Sequence, residues 1–229
     1  MFAVIISAST EWEAVVEKYG VARFGKTPYG DYFFHEQDGE IFAFFHGGWA
    51  KTNAAASAQY IIDRINPRLV INLGTCGGFT GHAKKGQVLI AEKTLIYDIY
   101  DRMFDPDMII AEFTTEIDLG WFKEIPGIPI RRTLLISGDS DLDPAQVNAL
   151  HEKYGAVAGD WESAAIAHVC KLNKVPLLIA RGVSDLVSEE GGEAYDAPEV
   201  FAQGARSVMA NLLDLLPQWV AMFCERNCD

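Results

Sequence analysis

Short apolar strand patterns alternate with helical patterns along the whole chain, and this alternation restricts the fold more than any other feature. Segments with the length and apolar character of strands lie at 2–7, 32–37, 41–47, 68–74, 87–100, 132–139 and 176–185. Segments with helical periodicity lie at 11–19, 50–65, 144–154, 161–173 and 197–216. Strands that alternate with helices are typical of a domain built around a mostly parallel sheet. The sequence therefore predicts an α/β fold with a mixed, mostly parallel twisted sheet flanked by helices.

The chain shows no internal repeat, low-complexity tract or long linker, so we predict a single domain over residues 1–229. A hairpin is expected across the Asp38-Gly39 pair, which is a favoured two-residue turn. The run RLVINLG (68–74) is almost continuously apolar, which indicates a strand buried on both faces of the sheet. Such sheets bind ligands at the carboxyl ends of their strands. Functional residues are expected at those ends.

The chain is strongly acidic, with 19 Lys and Arg residues against 32 Asp and Glu residues and a formal net charge of −13. Nucleic acids and anionic membrane surfaces bind to basic patches, so this charge argues against both as partners. The first ten residues lack the basic start of a secretory signal. We identify no apolar run that approaches the roughly 18 residues of a membrane span. We therefore expect a cytoplasmic protein, and a small substrate held in a pocket stays compatible with the charge.

The cysteines and histidines do not form the patterns of a metal site. Cys76, Cys170, Cys224 and Cys228 match neither a disulfide framework nor the paired CxxC spacing of zinc sites. The five histidines show no metal-ligand spacing. We therefore expect a reduced protein that binds no metal.

Polar residues lie in four places where a predicted strand ends or the following helix begins. They are Glu11 and Glu13, the segment NLGTCGG (72–78), the segment GDWES (159–163) and the segment RGVSD (181–185). Parallel strands bring their carboxyl ends to one edge of the sheet. The four places are therefore expected to meet at one site.

Each place has a structural explanation when it is considered alone. Glu11 and Glu13 could be acids favoured in the first turn of a helix, and the Gly-rich segment could be a tight turn between a strand and a helix. Asp160 could be an N-cap. Arg181 is different, because a guanidinium inside an apolar strand needs a carboxylate or phosphate partner. Four such places together favour a functional site.

Four motifs resemble the purine nucleoside phosphorylase and nucleosidase superfamily. They read NLGTCGG (72–78), SGD (137–139), DWESAAIAHVC (160–170) and VPLLIARGVSD (175–185). Within that superfamily the chain resembles the methylthioadenosine/S-adenosylhomocysteine nucleosidases, from residue 1 to roughly residue 215. The resemblance implies a nucleoside phosphorylase-like fold with a partly barrel-like sheet. It also implies a homodimer that acts on a small nucleoside substrate and needs no cofactor.

The reaction that the resemblance implies is hydrolysis of the N-glycosidic bond of a 5′-modified purine nucleoside, through a ribosyl cation. Asp185 matches the general acid that protonates N7 of the leaving base, and Ser184 could orient it. Glu162 matches the carboxylate that bonds a sugar hydroxyl. Glu11, helped by Arg181, matches the group that activates water.

The position of the water-activating glutamate is ambiguous by one residue. Counted from Ala8, the family's glutamate falls on Trp12, so the alignment must shift to Glu11 or Glu13. Trp12 and Val15 fit the inward face of the predicted helix, which favours Glu11. Glu13 is the alternative.

The resemblance also places Thr75, Gly77, Leu142 and Trp161 in the substrate pocket, with two departures from the family pattern. Where the family usually has an aromatic residue after the SGD motif, this chain has Ser140-Asp141-Leu142, and Trp161 stands where the family usually has methionine. The indole of Trp161 could supply the missing stacking surface. Asp141 could instead recognise another base edge, such as the N1 side of hypoxanthine. A futalosine-type hydrolase is therefore an alternative.

Two further alternatives concern the reaction itself. Phosphorylases of this superfamily hold phosphate with arginines, one of them at the position of Asn72, and carry an early Gly-x-Pro loop where this chain has Ser9-Thr10-Glu11. A carboxylate repels phosphate but suits water, so hydrolysis is favoured over phosphorolysis. A nucleoside-binding relative without turnover is the alternative from another functional class. Against it, all four matched catalytic positions carry the expected residue types.

The end of the chain is expected to contact both the sheet and a partner. Leu212, Leu213, Leu215 and Leu216 of the last predicted helix should pack on the sheet. The segment LPQWVAMF (216–223) is more apolar than a tail should be, which indicates a partner surface and supports the homodimer.

Overall fold

The structure, a computed structural model, describes residues 1–227 as one continuous sheet with its helices. The strands are β1 (Phe2–Ile6), β2 (Gly25–Lys26), β3 (Asp31–Gln37), β4 (Glu40–His46), β5 (Val70–Phe79), β6 (Val88–Ile96), β7 (Thr115–Glu116), β8 (Ile130–Ser137), β9 (Ala158–Asp160), β10 (Leu177–Ser188) and β11 (Gly191–Gly192). The helices are α1 (Ser9–Tyr19), α2 (Ala50–Ile65), α3 (Pro106–Glu112), α4 (Val147–Tyr154), α5 (Ser163–Asn173) and α6 (Pro198–Asn227).

The sheet is mixed and partly closed into a barrel. β1 lies between β4 and β5 and is parallel to both, and β5 is parallel to β10. β10 is antiparallel to β6, β6 is parallel to β8, and β8 is parallel to β9, which returns to β5. The five strands β5, β10, β6, β8 and β9 therefore form a closed ring, while β4, β3 and β2 extend the sheet beyond β1. The predicted α/β class and the partly barrel-like sheet are confirmed.

Two local predictions are confirmed by the backbone geometry. β3 and β4 form the expected hairpin, and both turn residues have positive φ, 53° for Asp38 and 79° for Gly39. This is the geometry that matches the right-handed twist of the strands. α2 occupies the predicted range 50–65 and ends at Asn66, which adopts a left-handed conformation before Pro67.

The Gly-rich segment 72–78 is part of a strand, so its explanation as a tight turn is wrong. β5 continues through it to Phe79 and pairs with β10 on one side and β9 on the other. Its glycines permit close approach, because a Cβ at Gly78 would lie 2.6 Å from Cγ1 of Val183. Glycine has a low strand propensity and so indicates a turn, but pairing on both edges outweighs that propensity here.

The helix that was predicted over 161–173 begins two residues later. Ala158–Asp160 forms the short strand β9, which the sequence pattern did not indicate, and α5 starts at Ser163. Glu162 therefore occupies the N-cap position, in place of a helical one. The carboxylate of Asp160 still accepts a hydrogen bond from the Ser163 amide, at 3.1 Å.

The apolar end of the chain is buried within the chain itself, so its interpretation as a partner surface is wrong. α6 continues through Pro217 to Asn227. Trp219, Val220 and Phe223 are 0%, 3% and 4% exposed, and the Phe223 ring meets Trp121 edge-on with centroids 5.2 Å apart. The leucines expected to face the sheet are buried as predicted, namely Leu212, Leu213, Leu215 and Leu216.

The segment Pro198–Arg226 is long and apolar enough to cross a membrane by those two criteria, contrary to the sequence expectation. Half of its apolar window is buried inside the protein, where α6 packs against α1, β5 and β10. Core helices share this composition because one face must be apolar to pack. The packing accounts for the apolar character of α6.

Candidate active site

A cavity of about 400 Å³ opens where the carboxyl ends of β1, β5 and β10 meet. The parallel pairing of these three strands brings their ends to one edge of the sheet. The predicted residues that line the cavity are Glu11, Thr75, Gly77, Leu142, Trp161, Glu162, Ser184 and Asp185. The four polar segments identified in the sequence therefore contribute to one site.

Glu11 lines the cavity and is 3% exposed. Its Oε1 accepts hydrogen bonds from the Thr75 amide at 2.6 Å and from the Thr75 hydroxyl at 2.7 Å, and its Oε2 accepts one from the Ala8 amide at 3.3 Å. Burial raises the pKa of the Glu11 carboxyl, although the charge of Arg181 and these hydrogen bonds oppose the shift. Glu13 is exposed on the outer face of α1, away from this site.

Arg181 lies behind the cavity wall and is not among the residues that line it. Its side chain is 1% exposed, and its Nε donates to Oδ2 of Asp160 at 2.6 Å. Its Nη2 donates to Oδ1 of Asn72 at 2.7 Å. The carboxylate partner that a buried guanidinium requires is therefore Asp160. Asp160 also accepts hydrogen bonds from the hydroxyls of Ser137 and Ser163.

Glu162 faces the cavity from the start of α5. Its Oε1 accepts a hydrogen bond from the amide of Ala50 at 3.1 Å, which ties it to the start of α2. Burial raises the pKa of Glu162 to about 8, and the charge of Asp160 adds to this shift while that of Arg181 opposes it. The protonated form of Glu162 is therefore favoured relative to a free carboxyl.

Asp185 and Ser184 lie side by side in β10, where that strand passes the cavity. The Ser184 hydroxyl lies 2.5 Å from Oδ1 of Asp185 and 3.3 Å from the carbonyl oxygen of Cys76. Burial raises the pKa of the Asp185 carboxyl, and the hydrogen bond from Ser184 opposes that shift. The protonated form of Asp185 is thus favoured relative to a free carboxyl.

Sequence reasoning missed three aromatic residues that line the cavity: Trp49, Tyr195 and Phe201. Tyr195 donates its hydroxyl to the carbonyl oxygen of Leu142 at 2.6 Å, so it closes the wall beside the expected base position. Trp49 follows β4, whose carboxyl end lies beside that of β1. The rule that ligands bind at strand ends could have found Trp49, whereas nothing in the sequence indicates Tyr195 or Phe201.

No metal-binding cluster is present within residues 1–227, where no three His, Cys, Asp or Glu side chains come together in a way that could hold an ion. Cys76, Cys170 and Cys224 are free thiols. The fourth cysteine, Cys228, lies outside the described residues, so its predicted state is not tested.

We expect Glu162→Gln to be more heat-stable than the unsubstituted protein at pH 8–9 and equally stable at pH 5. The pKa of Glu162 in the folded protein, about 8, lies above the ordinary value of 4.5, so the unfolded chain loses the carboxyl proton at a lower pH than the folded protein does. As pH rises from about 4.5 to about 8, the folded protein therefore loses stability relative to the unfolded chain. Glutamine keeps the neutral form at every pH. The difference in Tm should grow by about 2–4 °C or more between pH 5 and pH 9.

Glu13→Gln is the matched control, because it removes the same charge at an exposed position that does not line the cavity. Scanning calorimetry of the three proteins at four pH values measures the effect. A Tm difference that stays constant from pH 5 to pH 9 would contradict the raised pKa of Glu162.

The sequence matches the profile of the Phosphorylase superfamily over residues 2–216. The chain is 30% identical over 205 residues to the 5′-methylthioadenosine/S-adenosylhomocysteine nucleosidase of Maridesulfovibrio salexigens, a match that covers 82% of this chain and 88% of that protein. The protein of the same name from Bacillus subtilis is 30% identical over 173 residues, which covers 70% of this chain and 75% of the relative.

Solved structures share the architecture at lower identity. The 5′-methylthioadenosine/S-adenosylhomocysteine nucleosidase of Campylobacter jejuni superposes with a TM-score of 0.77 at 20% identity, covering 95% of this chain and 98% of that one. The futalosine hydrolase of Helicobacter pylori superposes with a TM-score of 0.81 at 18% identity, covering 95% and 97%. Similarity at these identities shows the common fold.

Proposed function

Because the chain belongs to the phosphorylase superfamily, we propose that it is a nucleosidase acting on 5′-modified purine nucleosides of the methylthioadenosine/S-adenosylhomocysteine type. It hydrolyses the N-glycosidic bond and releases the free base and the 5-modified ribose. The relatives at 30% identity carry the name of this activity.

The observation that carries the choice of hydrolysis is the charge of the cavity. Among the described residues that line it, none is Lys or Arg, while six are acidic, namely Glu11, Asp141, Asp160, Glu162, Asp185 and Asp196. Arg181, a buried cation behind the cavity wall, already donates to Asp160 and Asn72. Phosphate needs donors and positive charge, whereas a neutral water molecule needs an acceptor. The cavity therefore supports hydrolysis over phosphorolysis.

In the proposed mechanism the bond between C1′ and the base nitrogen N9 breaks as Asp185 transfers its proton to N7. The raised pKa of Asp185 keeps that proton available, and Ser184 holds the carboxyl in place. Positive charge then develops on the ribose ring. A water molecule adds to C1′ and gives one of its protons to Glu11. The sugar thereby gains a hydroxyl group, and the leaving base has gained the proton from Asp185.

The remaining site residues position the substrate and the reacting groups in this proposal. Glu162 bonds a ribose hydroxyl, and Thr75 fixes the Glu11 carboxylate through two hydrogen bonds. Arg181 acts as a positioning residue through Asp160, since it does not line the cavity. Its positive charge opposes the rise in the pKa of Glu11 and so favours the ionised form that accepts a proton.

The test is release of free base from methylthioadenosine, S-adenosylhomocysteine, inosine and futalosine, each with and without inorganic phosphate. We expect phosphate-independent release of adenine from the first two. Asp141 lines the cavity and could bond a 6-oxopurine, so faster release from futalosine would indicate the futalosine-type alternative. Stimulation by phosphate would indicate a phosphorylase. Calorimetric binding without any base release would indicate a nucleoside-binding protein.

We expect Glu11→Gln to lower kcat by about 10²–10⁴, because the amide cannot accept the proton of the attacking water. KM should change little, since the bonds from Thr75 to the remaining carbonyl oxygen can persist. Glu13→Gln changes the alternative glutamate of the same helix and should leave both constants unchanged. Steady-state adenine release measures both variants. Retention of more than a tenth of kcat by Glu11→Gln would contradict the role of Glu11.

We also propose a homodimer, although the segment 216–223 no longer supports it. Another surface does, because four large apolar side chains are exposed after β6, namely Tyr100, Met103, Phe104 and Met108. Exposed apolar clusters of this kind are typical of protein interfaces. Asp98, two residues before Tyr100, accepts a hydrogen bond from the amide of Asp139, so this segment begins beside the residues Ser140 and Asp141 that line the cavity. Sedimentation of a clean monomer at micromolar concentration would contradict the dimer.

A further inference from the structure

A second cavity, of about 380 Å³, lies at the other end of β10 from the candidate active site. Leu177, the first residue of β10, lines this second cavity, whereas Ser184 and Asp185 line the first. The path along β10 from Leu177 to Asp185 is roughly 26 Å, at about 3.3 Å per residue. The volume lies within the range of about 300–1,000 Å³ that is typical of small-molecule sites. The two cavities are therefore separate, and the second can hold a small ligand.

The buried part of the second cavity's lining is apolar. Trp121, Cys170 and Leu177 line it and are 5%, 1% and 6% exposed. Burial raises the pKa of the Cys170 thiol to about 12, so this side chain stays uncharged at neutral pH. Phe223 lines the cavity too and lies beyond residue 216, where the match to the superfamily ends. Part of this lining therefore lies outside the segment that the superfamily shares.

Three exposed cations, Lys171, Lys174 and Arg226, also line the second cavity. None of them forms an ion pair with another residue of the range 1–227. Lys171 donates its ammonium to the carbonyl oxygen of Thr114 at 3.2 Å, which leaves its charge without a carboxylate. The cavity thus offers positive charge in a chain whose formal net charge is −13.

Two carboxylates, of Glu116 and Asp118, line the same cavity and limit the charge of a suitable ligand. Glu116 pairs with Lys93 at 2.7 Å, and Oδ1 of Asp118 accepts a hydrogen bond from the Gly120 amide at 2.8 Å. Three cations against two carboxylates leave an excess of one positive charge. A ligand with a single negative charge matches that excess, whereas a polyanion would be repelled by both carboxylates.

Thr115 provides an independent indication that a polar atom belongs in this cavity. Thr115 lines the cavity and is 4% exposed, and its hydroxyl has no hydrogen-bond partner in the described part of the chain. A buried hydroxyl without a partner is unfavourable. A ligand that enters the cavity can supply the missing partner.

We propose that the second cavity binds an amphipathic monocarboxylate, with its alkyl or aryl body against the buried apolar lining and its carboxylate at Lys171, Lys174 and Arg226. A guanidinium can bond both oxygens of one carboxylate, which favours this head group over a neutral one. The site goes beyond the proposed nucleosidase function and does not depend on it. Its charge is opposite to that of the first cavity, where six lining residues are acidic and none is Lys or Arg.

The test is isothermal titration calorimetry with octanoate, n-octanol and acetate as probes. We expect octanoate to bind with a Kd of about 0.1–1 mM, which is typical of a ligand of its size. Octanol lacks the charge and acetate lacks the apolar body, so both should bind at least about tenfold more weakly. Octanoate that binds no more tightly than octanol would overturn the proposal.

Substitutions at the cavity locate the binding. Lys174→Gln combined with Arg226→Gln should weaken octanoate binding by about tenfold or more and leave octanol binding unchanged. Arg206→Gln is the matched control, because Arg206 is an exposed arginine of the same helix α6 that lines neither cavity. Unchanged octanoate affinity in the double variant, or an equal loss in Arg206→Gln, would overturn the site.

Reversal of the charge gives a readout that a misfolded protein cannot produce. Lys174→Glu combined with Arg226→Glu leaves Lys171 as the one cation among the described residues of the lining, against four carboxylates. This variant should lose octanoate binding and gain binding of octylammonium, which has the same apolar body with the opposite charge. A variant that is folded by its Tm and binds octanoate as well as the unsubstituted protein would contradict the assigned position of the carboxylate.

Discussion

We expect Asp185→Asn to lower kcat for adenine release from methylthioadenosine by about a thousandfold or more. Asparagine has the same shape and can still bond Ser184, but it has no proton to give to N7 of the purine. General acid catalysis contributes about 10²–10⁴ in rate. Leaving-group protonation is the step that makes an otherwise basic purine anion a good leaving group, so the effect should lie at the high end of that range.

A substrate that needs no proton provides the sharpest control for this prediction. The 4-nitrophenyl glycoside of 5-methylthioribose has an acidic leaving group, so Asp185→Asn should cleave it at nearly the wild-type rate. Glu11→Gln should fail on both substrates, because water must be activated in either case. If Asp185→Asn lowers kcat equally for the two substrates, the substitution disturbs the site as a whole, and Asp185 is not the specific proton donor to the base. Equal Tm values would exclude unfolding as the cause.

Arg181→Met should lower the free energy of unfolding by about 3–5 kcal/mol, the largest stability effect that we expect from a single substitution in this protein. Arg181 is 1% exposed and its Nε bonds the buried carboxylate of Asp160. Methionine fills much of the volume but leaves that carboxylate without a counter-charge. Urea denaturation followed by tryptophan fluorescence measures the loss.

The pH dependence and a double variant test the cause of this destabilisation. The charge of Arg181 lowers the pKa of both Glu11 and Glu162 against the effect of burial, so its removal raises both further. The folded state then binds protons more tightly than the unfolded state, and the loss should be larger at pH 8 than at pH 5. Asp160→Asn combined with Arg181→Met should recover part of the stability. A destabilisation below about 1 kcal/mol at pH 8 would show that water replaces the guanidinium.

Much of the site could be anticipated because its residues are of unusual type for their place in the sequence. Arg181 and Asp185 interrupt an apolar strand, and Glu162 precedes an apolar helix. Polar groups in such places need partners, which predicts a cluster. The identity of the partners could not be predicted in the same way. Nothing in the sequence distinguishes Asp160 from other acids as the partner of Arg181, because their contact spans 21 residues and depends on how β9 and β10 are arranged.

Two errors have a common physical cause, namely that tertiary contacts outweighed local signals. Glycines in the segment 72–78 indicate a turn, but pairing with strands on both edges makes the segment part of β5. The apolar run 216–223 indicates a partner surface, but α6 continues past Pro217 and places Trp219 in the core. A local sequence pattern indicates which side chains are buried. The surface that buries them is determined only by the folded chain.

The sequence by itself determined the α/β alternation, the β3–β4 hairpin, the bounds of α2 and the residue types that could carry acid and base chemistry. These depend on periodicity, turn residues and the chemistry of single side chains, which are local properties. Helical periodicity favoured Glu11 over Glu13, and the structure confirms that Glu11 lines the cavity. The tertiary structure alone decided that Arg181 lies behind the cavity wall and that Trp49 lies beside Glu162. These facts depend on contacts between residues distant in the sequence, and they exist only once the parallel strands bring their carboxyl ends to one edge.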